Sequence, residues 1–156
     1  YKKGDQSNLW FEETLCETAS LYALRGMTKE WKTKPPYPNW KSYGQEFAKY
    51  AKKRITKYPW PKNQSLGDWY KEKKHSLAKE PADRGRNVRL ASQLLPLFEE
   101  KPSRWGACAF INIKKSNQKR SFSTYLDDWK KNCKTDVQKE FVKKLALEFR
   151  VSLRSN

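Results

Sequence analysis

The stretch Asn8-Leu9-Trp10-Phe11-Glu12-Glu13-Thr14-Leu15-Cys16-Glu17-Thr18-Ala19-Ser20-Leu21-Tyr22-Ala23-Leu24-Arg25-Gly26-Met27 holds no proline, and its apolar residues return every three to four positions. Leu9, Phe11, Leu15, Ala19, Tyr22, Ala23 and Met27 predict a helix over residues 8 to 31, with Ser7 or Asn8 as its cap. Trp10, Cys16, Leu21 and Leu24 fill the other sides of the helical wheel, the pattern of a helix buried all round.

Outward from this helix the chain keeps the same period. Pro35-Pro36-Tyr37-Pro38 reads as a stiff extended connector, because each ring fixes φ and turns the preceding residue away from helix. Trp40, Tyr43, Phe47, Ala51, Ile55 and Tyr58 then give the clearest amphipathic pattern in the sequence, closed by Pro59 and Pro61. Ser65 with Asp68 resembles a capping box for a short polar helix to about Ala78. Val88, Ala91, Leu94, Leu95 and Phe98 predict another helix, which Pro96 would kink or break. Residues 105–113 fit a buried helix or a strand. Phe122, Leu126, Trp129 and Cys133 recur at helical spacing, and Thr135 with Gln138 opens a last helix carrying Val137, Phe141, Leu145 and Phe149. The expected fold is all-α, an irregular array of helices joined by proline-rich turns.

A length of 156 residues suits a single helical domain spanning 1–156. Seven Trp, eight Tyr and seven Phe supply bulky burial that the modest aliphatic content does not, which argues against disorder despite 33% charged residues. The longest uncharged apolar run, 105–113, is about half of the roughly 20 residues a bilayer span needs, so no membrane span is expected. The chain starts at Tyr1 with no initiating Met, which a cleaved signal or a removed upstream region would explain. The expectation is a soluble fragment of a longer protein, leaning toward a secreted or cell-envelope location. Scattered single glycines provide no phosphate-cradling loop. Cys16, Cys108 and Cys133 form no CxxC pair and have no neighbouring histidine, so they are expected to be buried thiols; one disulfide with a free thiol stays open.

Thirty-four Lys and Arg against 17 Asp and Glu give +17, yet residues 1–30 sum to −1. Acid is thus concentrated on the most apolar helix. Glu13 and Glu17 stand at i and i+4, where like charges repel, and neither has a basic residue three or four positions away. A carboxylate on a buried helix needs a cation, a hydrogen-bond network or a raised pKa, which makes this helix the candidate site. Salt bridges to Lys or Arg distant in sequence are the structural alternative.

The segment Trp10-Phe11-Glu12-Glu13-Thr14-Leu15-Cys16-Glu17-Thr18-Ala19-Ser20 resembles the W-x-x-E-G-x-A-E helix of the gluzincin metallopeptidases. The resemblance implies that Glu13 is a metal-binding glutamate and Glu17 the acidic residue that supports the site, with Trp10, Glu12 and Tyr22 as neighbours in a cleft. Thr14 stands where that family has Gly and Cys16 where it has Ala. It also implies that the fold is the C-terminal helical half of a zincin-like domain, acting on a peptide or protein substrate. The family's His-Glu-x-x-His helix, source of two zinc ligands and the general base, is not in this sequence. Zinc is therefore expected only in a longer parent, no cofactor is assigned to this chain, and no catalytic residue is assigned. His75, the only histidine, lies in the polar run Lys73-Lys74-His75-Ser76 and is expected on the surface, too isolated for a zinc site or a Cys-His or Ser-His nucleophile. A paired-carboxylate glycosidase using Glu13 and Glu17 has no other feature behind it.

The alternative is a non-enzymatic module that binds nucleic acid or another polyanion. Lys49, Lys52, Lys53, Arg54 and Lys57, or Lys114, Lys115, Lys119 and Arg120, would then contact phosphates. Against it, the aromatic residues fall on the apolar spacing of the helices, where a core would use them.

Overall fold

The computed structural model describes residues 6–113 and 118–154. Six α-helices follow in order among them: α1 (Leu9–Glu30), α2 (Tyr43–Lys57), α3 (Leu66–Lys73), α4 (Arg84–Glu100), α5 (Phe122–Asn132) and α6 (Asp136–Glu148), with 3-10 helices at Pro38–Trp40 and Pro102–Phe110. No strand occurs among the described residues, and the expected all-α class holds.

Local chemistry explains most of the boundaries. Thr135 and Gln138 cap α6 reciprocally, each side chain taking up backbone N–H groups that the helix leaves unpaired. Ser65 accepts from the Asp68 N–H, but α3 ends at Lys73 rather than near Ala78, because the polar residues that follow bury only Leu77. Residues 102–110 settle as 3-10 helix, with Trp105 stacked on Phe98 at 3.7 Å between ring centres. Pro96 does not break α4. Its ring lies on the exposed face, where the carbonyl it leaves without an N–H, that of Ser92, can turn to water.

α1 packs against α4 and α2, α5 against α6, and the 102–110 turn against both α4 and α6. The main core is aromatic. Trp10 and Phe11 on α1 meet Phe122, Tyr125 and Trp129 on α5 and Phe149 beyond α6, mostly in edge-to-face contacts with ring centres 5.0 to 6.3 Å apart. A smaller cluster of Leu21, Ala51, Ala91 and Leu95 joins α1, α2 and α4. α6 ends in a Schellman turn: Arg150 takes the left-handed conformation (φ 51°), its N–H reaches the Leu147 carbonyl, and that of Val151 reaches Ala146.

Two expectations need correcting. α1 is not enclosed on all sides, since Cys16, Ala19, Ser20, Ala23 and Gly26 form an exposed strip along it. The stripe that marks α2 faces the core only in part: Ala51 and Ile55 join the smaller cluster, but its aromatic residues do not all follow. Gly44 and Ala51 are the buried residues of α2, while Tyr43 and Tyr50 are more than half exposed. Among the described residues no helix is long and apolar enough to cross a membrane.

Candidate functional site

α1 carries three of its four glutamates, Glu12, Glu13 and Glu17, within two turns, and the fold treats them differently. Glu12 is half-buried; its Oε1 accepts from the Tyr125 hydroxyl at 3.0 Å and from Asn112 Nδ2 at 2.9 Å. Asn112 can present its amide there because its backbone is left-handed (φ 49°), a conformation asparagine tolerates. Its own Oδ1 accepts from Arg120, whose guanidinium also pairs with Asp128 at 3.1 Å and sits 5.5 Å from the Tyr125 ring centre. Burial, followed by the charge and hydrogen bond of Glu12, pushes the Tyr125 phenol well above its ordinary range. Asn8, the expected cap of α1, instead donates to the Arg120 carbonyl at 2.9 Å, tying the start of α1 to the same network.

Glu17 is held from the other direction, with Arg54 of α2 reaching its Oε2 at 2.5 Å; both side chains are about one-fifth exposed. The distant salt bridge foreseen as the structural alternative therefore exists for Glu17. Glu13, between them, is half-buried and makes no hydrogen bond or ion pair among the described residues. Its charge is nevertheless felt one turn on: the Cys16 thiol is raised by burial first, then by Glu13, Glu12 and Glu17.

The remaining residues singled out in the sequence fall in different places. Trp10 is a core residue, 2% exposed and in ring contact with Phe11, Tyr70, Phe122 and Phe149, and not a cleft wall. Tyr22 is half-buried against Trp105, ring centres 5.4 Å apart. Lys52, Lys53, Lys57 and Lys119 are exposed, whereas Arg54 and Arg120 are committed to the pairs above. Lys114 and Lys115 lie outside the described residues. His75 is exposed, as expected. All three cysteines are free thiols, but only Cys133 is buried, and Cys16 is on the open strip of α1.

A zinc centre cannot be assembled from the residues described here. Among them no group of three or more His, Cys, Asp or Glu could hold a metal ion. Glu13 is at most one ligand, and the donors a zinc peptidase adds to it are not in this chain.

Two features escaped the sequence reading. Between α3 and α4 a cleft of about 340 Å³ is walled by Trp69, Lys73, Lys79, Arg86 and Arg89. Burial lowers the pKa of Arg86 there, against the opposing pull of Asp83 and Glu80. The second is a surface of rings. Tyr37, Trp40, Tyr43 and Tyr50 are 58, 39, 53 and 53% exposed, and the first three touch in sequence at 4.9 and 6.0 Å between ring centres. Helical spacing cannot distinguish such a stripe from a core-facing one, because both have the same period.

No protein-family model, curated protein or solved structure matches the chain.

Proposed function

We propose that this chain is the glutamate-bearing helical part of a metallopeptidase-like protein, in which Glu13 is a metal ligand and further ligands come from residues outside these 156. The observation that supports the reading is the division of labour on α1. Glu12 and Glu17 are occupied by Tyr125, Asn112 and Arg54, while Glu13 makes no such contact among the described residues, an arrangement that suits a metal ligand. The open strip of α1 agrees with it, since a helix apolar on every side is normally covered on every side. In this reading Arg54 and Tyr125 orient the flanking carboxylates, the substrate is a peptide or protein, and the chain alone hydrolyses nothing.

The test is made on the intact protein that contains this chain, purified from its natural source. Its zinc content and upstream sequence are measured, then compared with a Glu13→Gln variant. Bound zinc near one equivalent, a His-Glu-x-x-His helix upstream of Tyr1, and a loss of zinc affinity of about tenfold or more in Glu13→Gln are expected. Glu13→Gln should fold as the wild type does, because it breaks no hydrogen bond or ion pair among the described residues. A protein without zinc, or zinc retained fully by the variant, overturns the reading.

A further inference from the structure

The surface of exposed rings meets a concentration of positive charge. Residues 31–58 carry eight Lys and Arg to one acid, Glu46, and that acid is already paired with Lys49 at 2.7 Å. Lys32, Lys34, Lys41, Lys52, Lys53 and Lys57 are all exposed. On α2, Tyr43, Phe47, Tyr50 and Arg54 are spaced four, three and four apart and so share one face; Lys49, Lys53 and Lys57, spaced by four, form the adjoining row. The rings are held from beneath: half-buried Trp31 lies 4.8 Å from Phe47 and 5.9 Å from Trp40, ring centre to ring centre. Arg54, fixed by Glu17, stands 5.8 Å from the Tyr50 ring centre. Tyr43 and Tyr50 are two turns apart, about 10 Å along the helix.

We propose that the Tyr37–Trp40–Tyr43–Tyr50 face with its row of lysines binds single-stranded nucleic acid, DNA or RNA, independently of any role for Glu13. Charge selects a polyanion. The rings narrow the choice to one that offers flat unpaired faces together with that charge, since bases stack on aromatic side chains whatever their sequence. A duplex keeps its bases stacked on one another and leaves these rings nothing to cover. The contact is sequence-tolerant: stacking reads no base edge, and Arg54, the fixed polar side chain on this face, is already engaged by Glu17.

The test is fluorescence anisotropy of a labelled 20-mer of deoxythymidine, and of uridine, titrated with the 156-residue chain. Binding should weaken with salt, with a log–log slope of about −2 to −4 if three to five phosphates are neutralised. The W40A/Y43A variant should lose about tenfold or more in affinity, while K130A/K131A, which removes charge from α5, a helix whose rings are all buried, changes it less than threefold. Both pairs are exposed or half-buried, and thermal melts verify that the variants fold. Preference for oligomer over duplex is expected. Equal weakening by the two variants, unchanged binding by W40A/Y43A, or capture by anionic lipid vesicles with none by either oligomer would overturn the proposal.

Discussion

Glu12, Glu13 and Glu17 lie within two turns of one helix and differ in what other elements bring to them. Tyr125 arrives from 113 residues away and Arg54 from 37, so no local pattern could have told which acid would be left alone. What was legible was the excess of acid without local basic partners. What was hidden was the partner list, which is a property of tertiary packing. Cys16 reports on this region experimentally. Its thiol is raised by burial and then by Glu13, so at pH 8 alkylation should be slower than for an unstructured cysteine. Glu13→Gln removes a negative charge, lowers the thiol pKa and should accelerate labelling, measured by mass spectrometry at a fixed iodoacetamide concentration. Labelling should remain confined to Cys16, because burial pushes Cys108 up to about 12 and Cys133 is enclosed. An unchanged rate in the variant would mean that Glu13 does not face Cys16.

At the level of elements, helices were readable wherever caps and apolar period agreed. α6 is the clearest case, its Thr135–Gln138 box visible in sequence and present in the fold. α2 is the mixed case: Ala51 and Ile55 of its stripe do face the smaller core, but Tyr43 on the same stripe is left outside, where Gly44 lets the backbone of α2 lie close to Thr28 of α1. The end of α6 offers a test of another such fit. Arg150 occupies the left-handed position that usually takes glycine, and its side chain lies over Gly67 while reaching Asp68 at 2.6 Å. A Cβ at position 67 would come within 2.5 Å of Arg150 Cγ, so Gly67→Ala should destabilise by about 1–3 kcal/mol despite the better helix propensity of alanine. Arg150→Gly relieves about 1 kcal/mol of backbone cost and gives up an exposed ion pair worth less than that. The double variant G67A/R150G should therefore be at least as stable as wild type. Urea denaturation of all four proteins closes the cycle, and additive effects would mean the two residues are not in contact.

For the molecule as a whole, the all-α class and the aromatic core followed from composition and period, but the exposed rings and the open strip of α1 did not. Burial of protonated groups sets one global property. Cys108 ordinarily titrates near 9 and in the fold is pushed up to about 12; Tyr125 is raised as well. Each folded-state pKa lies above its unfolded one, so the folded chain keeps protons that the unfolded chain gives up. This stability is complete below pH 9 and is lost as pH climbs toward 12, by up to about 1.4 kcal/mol per pH unit for each group. Urea midpoints under reducing conditions should fall across that window, and Cys108→Ala should flatten the fall; a pH-independent midpoint would contradict it.

The aromatic core also joins the beginning of the chain to its end, with Phe11 packed 6.0 Å from Phe149. During synthesis α1 therefore leaves the ribosome long before the rings that cover it exist. At roughly 5–20 residues per second, the intervening chain takes on the order of ten seconds to make. For that interval Trp10, Phe11 and Leu15 have no native partners on α5 and α6, and the nascent chain presents a sticky helix to whatever chaperone attends the tunnel exit.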